Sequence, residues 1–317
     1  AIVVTSHGGP EVLEYKDVEP PQPSEGQLLV DVTYAGINYI DTYFRSGTYP
    51  SNPPYIPGTE GCGRVVEDPK GEIAPGTLVA WHAAPGSYAE QVAVDRNRLV
   101  AVPEGVDPAV AASMLLQGMT SHYLLHGVRE TKPGDTMVVT AGAGGVGLIL
   151  TQMAAAEEAT VYSVVSSDEK EKLAYEAGAT KVFRYGEDLA EQIKAENGGG
   201  GVDVVYDGVG QDTFEMCLNV TRPRGLVCSF GSASGDVEPF KIQELNAHGA
   251  LFLTRPSLKH YVATDDEFLM RAQAVARAVE EGTVKIRIHP PYELKNARQA
   301  HEDLQARKTT GSVVLKV

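Results

Sequence analysis

Cysteine is scarce in this chain, with only Cys62, Cys217 and Cys228 among 317 residues. Their number is odd, they stand far apart and no C-x-x-C pair occurs, so neither a disulfide framework nor a zinc ribbon is indicated. The three thiols are expected to be buried or inert. Long hydrophobic runs are missing too: no uninterrupted apolar stretch approaches the length that spans a bilayer. Ala1-Ile2-Val3-Val4 leads into strand-like sequence without a charged n-region, so the cytoplasm is the expected location, with no membrane partner. Positive charge is in deficit. Lys and Arg number 27 against 42 Asp and Glu, a formal net charge of -15, which opposes attraction to a polyanion and makes nucleic acid the poorer choice of partner. Histidines at metal-ligand spacing are nearly absent. Of His7, His82, His122, His126, His248, His260, His289 and His301, only His122 and His126 lie four apart on one expected helix, and no acidic motif accompanies them. They are expected to be structural or surface residues.

A composition of 43% hydrophobic and 22% charged residues is that of an ordinary globular chain, and the length suggests two domains, each able to bury a core. The strongest local pattern is a G-x-G-x-x-G fingerprint at Gly142, Gly144 and Gly147, with Gly145 and Val146 inside it. Strand-like Thr136-Met137-Val138-Val139 precedes it and helix-like Leu148 to Met153 follows. Gly142 allows the tight turn, Gly144 lets backbone approach phosphates, and Gly147 lets the helix press on the sheet. Strand, glycine turn and helix together build a helix N-terminus that holds a dinucleotide pyrophosphate.

From about Asp135 the chain alternates strand-like and helix-like runs, the pattern of a parallel sheet covered on both faces. Strands are expected at Thr136 to Thr140, Thr160 to Val165, Lys181 to Tyr185, Val202 to Tyr206, Leu226 to Phe230 and Ala250 to Leu253. Helices are expected at Glu169 to Ala177, closed by Gly178, and at Leu189 to Asn197, closed by the flexible turn Gly198 to Gly201. Earlier residues read as a mostly β domain, with β-branched stretches at Leu28 to Thr33 and Gly63 to Glu67 and turn residues at Pro20-Pro21-Gln22-Pro23. The closing stretch returns to it. The fold class is therefore α/β, a mostly β catalytic domain at 1–115 and 290–317 around a doubly wound, six-stranded nucleotide domain at 116–289, with the active site expected in the cleft between them.

Several longer segments carry a resemblance. They include Ala35-Gly36-Ile37-Asn38-Tyr39-Ile40-Asp41-Thr42-Tyr43-Phe44-Arg45-Ser46-Gly47, Pro57-Gly58-Thr59-Glu60-Gly61, and Leu115 to Leu125. Ala143-Gly144-Gly145-Val146-Gly147, Val204-Val205-Tyr206-Asp207, Leu253-Thr254-Arg255-Pro256 and Arg307-Lys308-Thr309-Thr310-Gly311-Ser312 continue it. Over essentially its whole length the chain resembles the zinc-independent, zeta-crystallin-like quinone oxidoreductases of the medium-chain dehydrogenase/reductase superfamily. That resemblance implies a GroES-like domain plus a Rossmann domain, NADPH as hydride donor and a homodimer. Zinc alcohol dehydrogenases of the superfamily carry cysteine, Gly-His-Glu and cysteine ligands, where this chain has Asn38, Thr59 beside Glu60, and Gln117. An amide, a hydroxyl and a second amide make a poor zinc site, and no metal is expected.

The implied reaction is hydride delivery to a quinone or other conjugated carbonyl, whose developing oxyanion needs hydrogen-bond donors. By resemblance, Asn38, Tyr43, Arg45, Tyr49 and Gln117 are the candidate donors and positioners; Tyr43 and Tyr49 could equally serve as aromatic packing. No single indispensable acid or base is expected, and catalysis would rest mainly on placement. An enone or alkenal double-bond reductase is one alternative. The other is an NADPH-binding, crystallin-like or RNA-binding protein.

An NAD enzyme usually places Asp or Glu at the end of the second strand, about twenty residues beyond the glycines. Here Val165, Ser166 and Ser167 stand there, with Lys170 a turn later, and hydroxyls with an ammonium suit a 2'-phosphate. Asp168 is expected to point to solvent or to cap the helix beginning near Glu169. By resemblance, Lys170, Tyr185 and Arg307 grip the adenosine phosphate. Asn38, Tyr39, Asp41, Tyr43, Thr120, Tyr123, Gly145, Val146, Gly208, Phe230 and Gly231 are further cofactor contacts, although Thr120 and Tyr123 could equally be a helix residue and its packing neighbour. Two positions depart from the family pattern: Gly208 replaces a usual serine, and Ser232 stands where asparagine is common.

Overall fold

Alternation of apolar and polar residues builds the first sheet. In Gln27–Ile37, Leu28, Val30 and Val32 are buried while Asp31 is exposed, the period-two pattern of a strand with one covered face. This strand pairs antiparallel with Glu60–Glu67, Gln91–Asp95 and Val313–Lys316. Leu78–His82, Leu99–Ala101 and Tyr292–Glu293 complete the sheet. Its core includes Leu28, Val30, Trp81, Tyr88, Val94, Leu294, Ala297 and Leu315.

The computed structural model describes residues 1–317, and the chain forms two units, Ala1–Met119 with Val262–Val317, and Thr120–Tyr261. Residues 262–289, which the sequence reading placed with the nucleotide domain, lie in the first unit. Packing of the helix Asp265–Glu280, which buries Phe268, Ala272 and Val275, accounts for this. The Arg98 guanidinium sits 5.1 Å from the centre of the Phe268 ring, and a Cβ added at Gly118 would meet Val275 Cγ1 at 2.5 Å. A glycine therefore lets this helix approach closely.

Thr120–Tyr261 holds the expected six-stranded parallel sheet, in the order Lys181–Arg184, Thr160–Val165, Thr136–Val139, Val202–Asp207, Thr221–Ser229 and Phe252–Thr254. In chain order this is 3-2-1-4-5-6, the arrangement of a doubly wound dinucleotide-binding sheet. The fifth strand begins earlier than expected because Val202 already pairs with Thr221. Buried Val138, Val164, Val205 and Val227 fill its faces, as a sheet covered by helices requires. No helix is long and apolar enough to cross a membrane.

Candidate functional site

In the second unit, the strand Thr136–Val139 ends in a turn in which Gly142 N donates to Val164 O at 3.0 Å. A Cβ at Gly142 would lie 1.8 Å from Ser163 Oγ, and one at Gly147 would lie 2.5 Å from Ala141 O and 2.8 Å from Gly142 Cα. Both positions therefore admit only glycine without displacement of neighbours. Gly144 is the N-cap of Gly145–Ala156 and offers no side chain to the first amides. These observations fit a pyrophosphate seated on the helix N-terminus. Tyr185, expected at the adenosine phosphate, accepts from Ala141 N at 2.8 Å, which leaves its hydroxyl proton to donate.

At the end of Thr160–Val165 the structure brings Ser166, Ser167 and Lys170 together. Lys170 Nζ is 3.4 Å from Ser166 Oγ, and the Ser167 hydroxyl caps the helix Asp168–Glu176 by accepting from Lys170 N. Asp168 is thus not the cap. Its side chain is fully exposed, in line with the other expectation, and pairs with Arg184, which also holds Glu171. The Arg184 guanidinium thus holds two of the three acidic groups of this turn, Asp168 and Glu171, in ion pairs beside the hydroxyls and ammonium at the strand end.

Asp207 organises the next strand end, and sequence reasoning did not single it out. Fully buried, it accepts from Thr140 Oγ1 and Thr213 Oγ1, each at 2.7 Å, and from Gly210 N at 2.9 Å. The usual serine in place of Gly208 would bring its Cβ 3.0 Å from Phe230, and a Cβ at Gly231 would meet Gly208 O at 2.5 Å. Gly208, Phe230 and Gly231 therefore form one tight corner. Ser232 Oγ accepts from Arg255 at 3.3 Å. Thr120 is buried, and Tyr123, also buried, stacks on Tyr261 with ring centres 4.4 Å apart.

In the first unit, polar side chains from four distant segments converge. Asn38 Nδ2 donates to Glu60 Oε2 at 2.7 Å, and Gln117 Nε2 donates to Asn38 Oδ1 at 3.2 Å. Ser312 Oγ donates to Gln117 Oε1 at 2.6 Å, while Leu116 N donates to Glu60 Oε1 at 2.8 Å. All four side chains are buried. Burial pushes the Glu60 carboxyl up to about 7, opposed by the Leu116 amide and Asn38.

A second buried chain adjoins it. Arg45 can only donate, so its contact of 3.0 Å with His301 Nδ1 makes that nitrogen the acceptor and leaves the proton on Nε2. His301 Nε2 is 3.1 Å from the Tyr88 hydroxyl, which itself donates to Asp41 Oδ2 at 2.9 Å; the same oxygen accepts from Asn38 N at 2.9 Å. Burial, with the nearby Arg45 charge, pushes His301 down to about 3, and burial raises Asp41 to about 6. Arg45 is 1% exposed and engaged with Gly8 O, His301 and Gln305; Asp41 is 3% exposed, with Oδ2 accepting from Asn38 N and the Tyr88 hydroxyl. Both anchor the helix Tyr39–Ser46.

That helix presents the aromatic candidates. Tyr39 and Tyr43 lie edge to face at 5.6 Å, and Tyr43 and Tyr49 are tilted at 5.2 Å, each ring half-buried. Arg307, exposed and in a left-handed backbone conformation at φ 58°, belongs to the first unit. Cys62, Cys217 and Cys228 are free and buried, and burial raises all three thiols, Cys62 to about 12. His122 and His126 pack ring to ring at 4.5 Å, with His126 3.1 Å from Glu157. No group of three His, Cys, Asp or Glu side chains is arranged to hold a metal ion.

Residues 24–104 match the family described as alcohol dehydrogenase GroES-like domain, and residues 145–269 match the one described as zinc-binding dehydrogenase. The quinone oxidoreductase of Pseudomonas aeruginosa is 39% identical over 99% of this chain and 98% of its own. A 2-haloacrylate reductase from a Burkholderia species is 35% identical, again over 99% and 98%. Escherichia coli quinone oxidoreductase, solved in complex with NADPH, matches with a TM-score of 0.96 at 38% identity, covering 100% of this chain and 99% of its own. Full-length identity, the two-unit architecture and the glycine fingerprint together make this chain a member of the quinone oxidoreductase family within the medium-chain dehydrogenase/reductase superfamily.

Proposed function

We propose that this chain catalyses the NADPH-dependent reduction of quinones. The observation that carries the reading is the meeting of Ser166, Ser167 and Lys170 one strand beyond a glycine fingerprint, in a chain of this family. Gly142, Gly144, Gly145, Val146 and Gly147 would hold the pyrophosphate, and Ser166, Ser167 and Lys170 the 2'-phosphate. NADPH, when bound, supplies the hydride. The chain's own residues bind and orient the acceptor. Tyr43 and Tyr49 offer flat rings on which a quinone can lie, while the amides of Asn38 and Gln117 donate to the oxygen on which negative charge grows. Because Glu60 and Ser312 already hold those amides, little reorganisation accompanies the charge. Arg45, Asp41, Tyr88 and His301 keep the helix that carries Tyr43 in place.

The Burkholderia relative favours a second reading, reduction of a carbon–carbon double bond conjugated to a carbonyl, because that acceptor poses the same oxyanion problem. A homodimer is the assembly that the family resemblance implies. A cytoplasmic location fits the three free thiols.

Stopped-flow oxidation of NADPH against a panel of quinones and enones tests the assignment, and kcat/KM ranks the two classes. Lys170→Ala is expected to raise KM for NADPH on the order of 10- to 100-fold while leaving that for NADH unchanged. Absence of turnover with every acceptor refutes the reading.

A further inference from the structure

Asn and Gln amides carry a carbonyl and an NH2 group of nearly equal shape, so a hydrogen-bonded chain through two of them can run in either direction. Its ends decide. At one end Ser312 has a hydroxyl, which can rotate to serve either direction. At the other end stands Glu60, 0% exposed, whose Oε1 receives the Leu116 amide at 2.8 Å and whose Oε2 receives Asn38 Nδ2 at 2.7 Å. In its ionised form, which burial confines to pH above about 7, this carboxylate receives two donors and is acceptor-only. Asn38 must therefore turn its NH2 to Glu60 and its carbonyl to Gln117, and Gln117 must turn its carbonyl to Ser312, as observed at 3.2 and 2.6 Å. A neutral, hydrogen-donating group at position 60 would permit the opposite order, exchanging donor for acceptor at both amides.

On the reading that this chain reduces quinones, we propose that Glu60 is a positioning residue, the acceptor-only end of the chain, which fixes the direction of the Asn38 and Gln117 amides and so which of their atoms meet the acceptor oxygen. Glu60 itself touches no acceptor. Burial supports the assignment, because at a site closed to solvent no water can satisfy a misdirected amide, and an unmatched donor pair there is costly.

The test uses the full chain with Glu60→Gln, Glu60→Asp, Ser312→Ala and the double variant Glu60→Gln/Ser312→Ala. Glu60→Gln is expected to lower kcat/KM for quinone on the order of tenfold with NADPH affinity unchanged, and Glu60→Asp, still acceptor-only, to recover most of that loss. The two single substitutions act on one chain, so their effects on kcat/KM are expected to be non-additive. A readout independent of turnover is the side-chain amide NMR resonances of Asn38 and Gln117 in the ligand-free protein, which shift in Glu60→Gln and stay close to wild type in Glu60→Asp. Loss of melting temperature alone, with kcat/KM, additivity and both amide resonances as in wild type, overturns the proposal. If wild type turns over no quinone, the functional reading fails, while the amide resonances still decide the role of Glu60.

Discussion

The Tyr88 hydroxyl donates to Asp41 Oδ2 at 2.9 Å, with both groups closed off from solvent. One phenol thereby ties the first turn of the helix Tyr39–Ser46 to His301, which lies 213 positions beyond Tyr88 in the chain. Tyr88→Phe removes the link and leaves Asp41 and the His301 Nε2 proton each one partner short. The expected cost is about 1–3 kcal/mol in urea unfolding. An unchanged midpoint would show that the two buried groups find other partners.

Gly142→Ala sets a methyl group 1.8 Å from Ser163 Oγ. Ser163 Oγ is buried and has no hydrogen-bond partner, so removing it sacrifices no bond. Gly142→Ala is expected to cost about 1–3 kcal/mol and to weaken NADPH binding, and Ser163→Gly in the same chain to restore both. Thermal melting and NADPH fluorescence titration check the pair. Failure of the second change to rescue the first would place the conflict elsewhere.

Stability should depend on pH with two opposed limbs. His301, pushed down to about 3, and His82, pushed down to about 4 by burial and the Arg98 charge, stay neutral in the folded chain. Unfolded histidine takes up a proton below about 6.5, so these two groups withdraw stability as pH falls from about 6.5 toward 3. Glu60 works in the other sense. Its carboxyl is raised from 4.5 to about 7, so its contribution is full below about 4.5 and is lost as pH rises through about 7. The titratable groups facing it are Asp41, which raises it, and His82, opposite it across the strand pair. Urea unfolding from pH 4.5 to 8 should show wild type losing ground to Glu60→Gln as pH rises, by up to about 1.4 kcal/mol per unit. His301→Gln should flatten the acid limb. A wild-type minus Glu60→Gln difference that does not move with pH would mean that Glu60 titrates normally.

What was legible in the sequence was local. Gly142, Gly144 and Gly147 lie within six residues between a strand and a helix, and the alternation of β-branched and helix-forming runs placed all six parallel strands within a few residues. The serines at 166 and 167 and the lysine at 170 are neighbours in the chain, so their meeting was legible too. Partners far apart were not. Asn38 and Glu60 are 22 positions apart, Asn38 and Gln117 79, Gln117 and Ser312 195, and Arg45 and His301 256, and such pairings depend on the finished packing. Arg45 illustrates the limit. In its motif it reads as a candidate donor and positioner, and only the distant helix carrying His301 and Gln305 shows it as a buried anchor. The docking of Asp265–Glu280 against Gly118 and Arg98 was hidden for the same reason, because it leaves no mark on the helix's own periodicity.

The first unit is assembled from both ends of the chain, and this bears on synthesis. Thr120–Tyr261 emerges from the ribosome as one uninterrupted segment and can close its sheet at once. Gln27–Ile37, made much earlier, pairs with Val313–Lys316 through Tyr34–Ile37 alone, the Gln27–Asp31 half of the same edge being held by Gln91–Asp95, so until Val313–Lys316 emerges that half-edge has no partner, and Gln117 waits for Ser312. Unpaired strand edges invite wrong associations. The nascent chain thus carries a finished nucleotide-binding unit beside an unfinished sheet, and the interval between the two is its period of greatest exposure to aggregation and to chaperones.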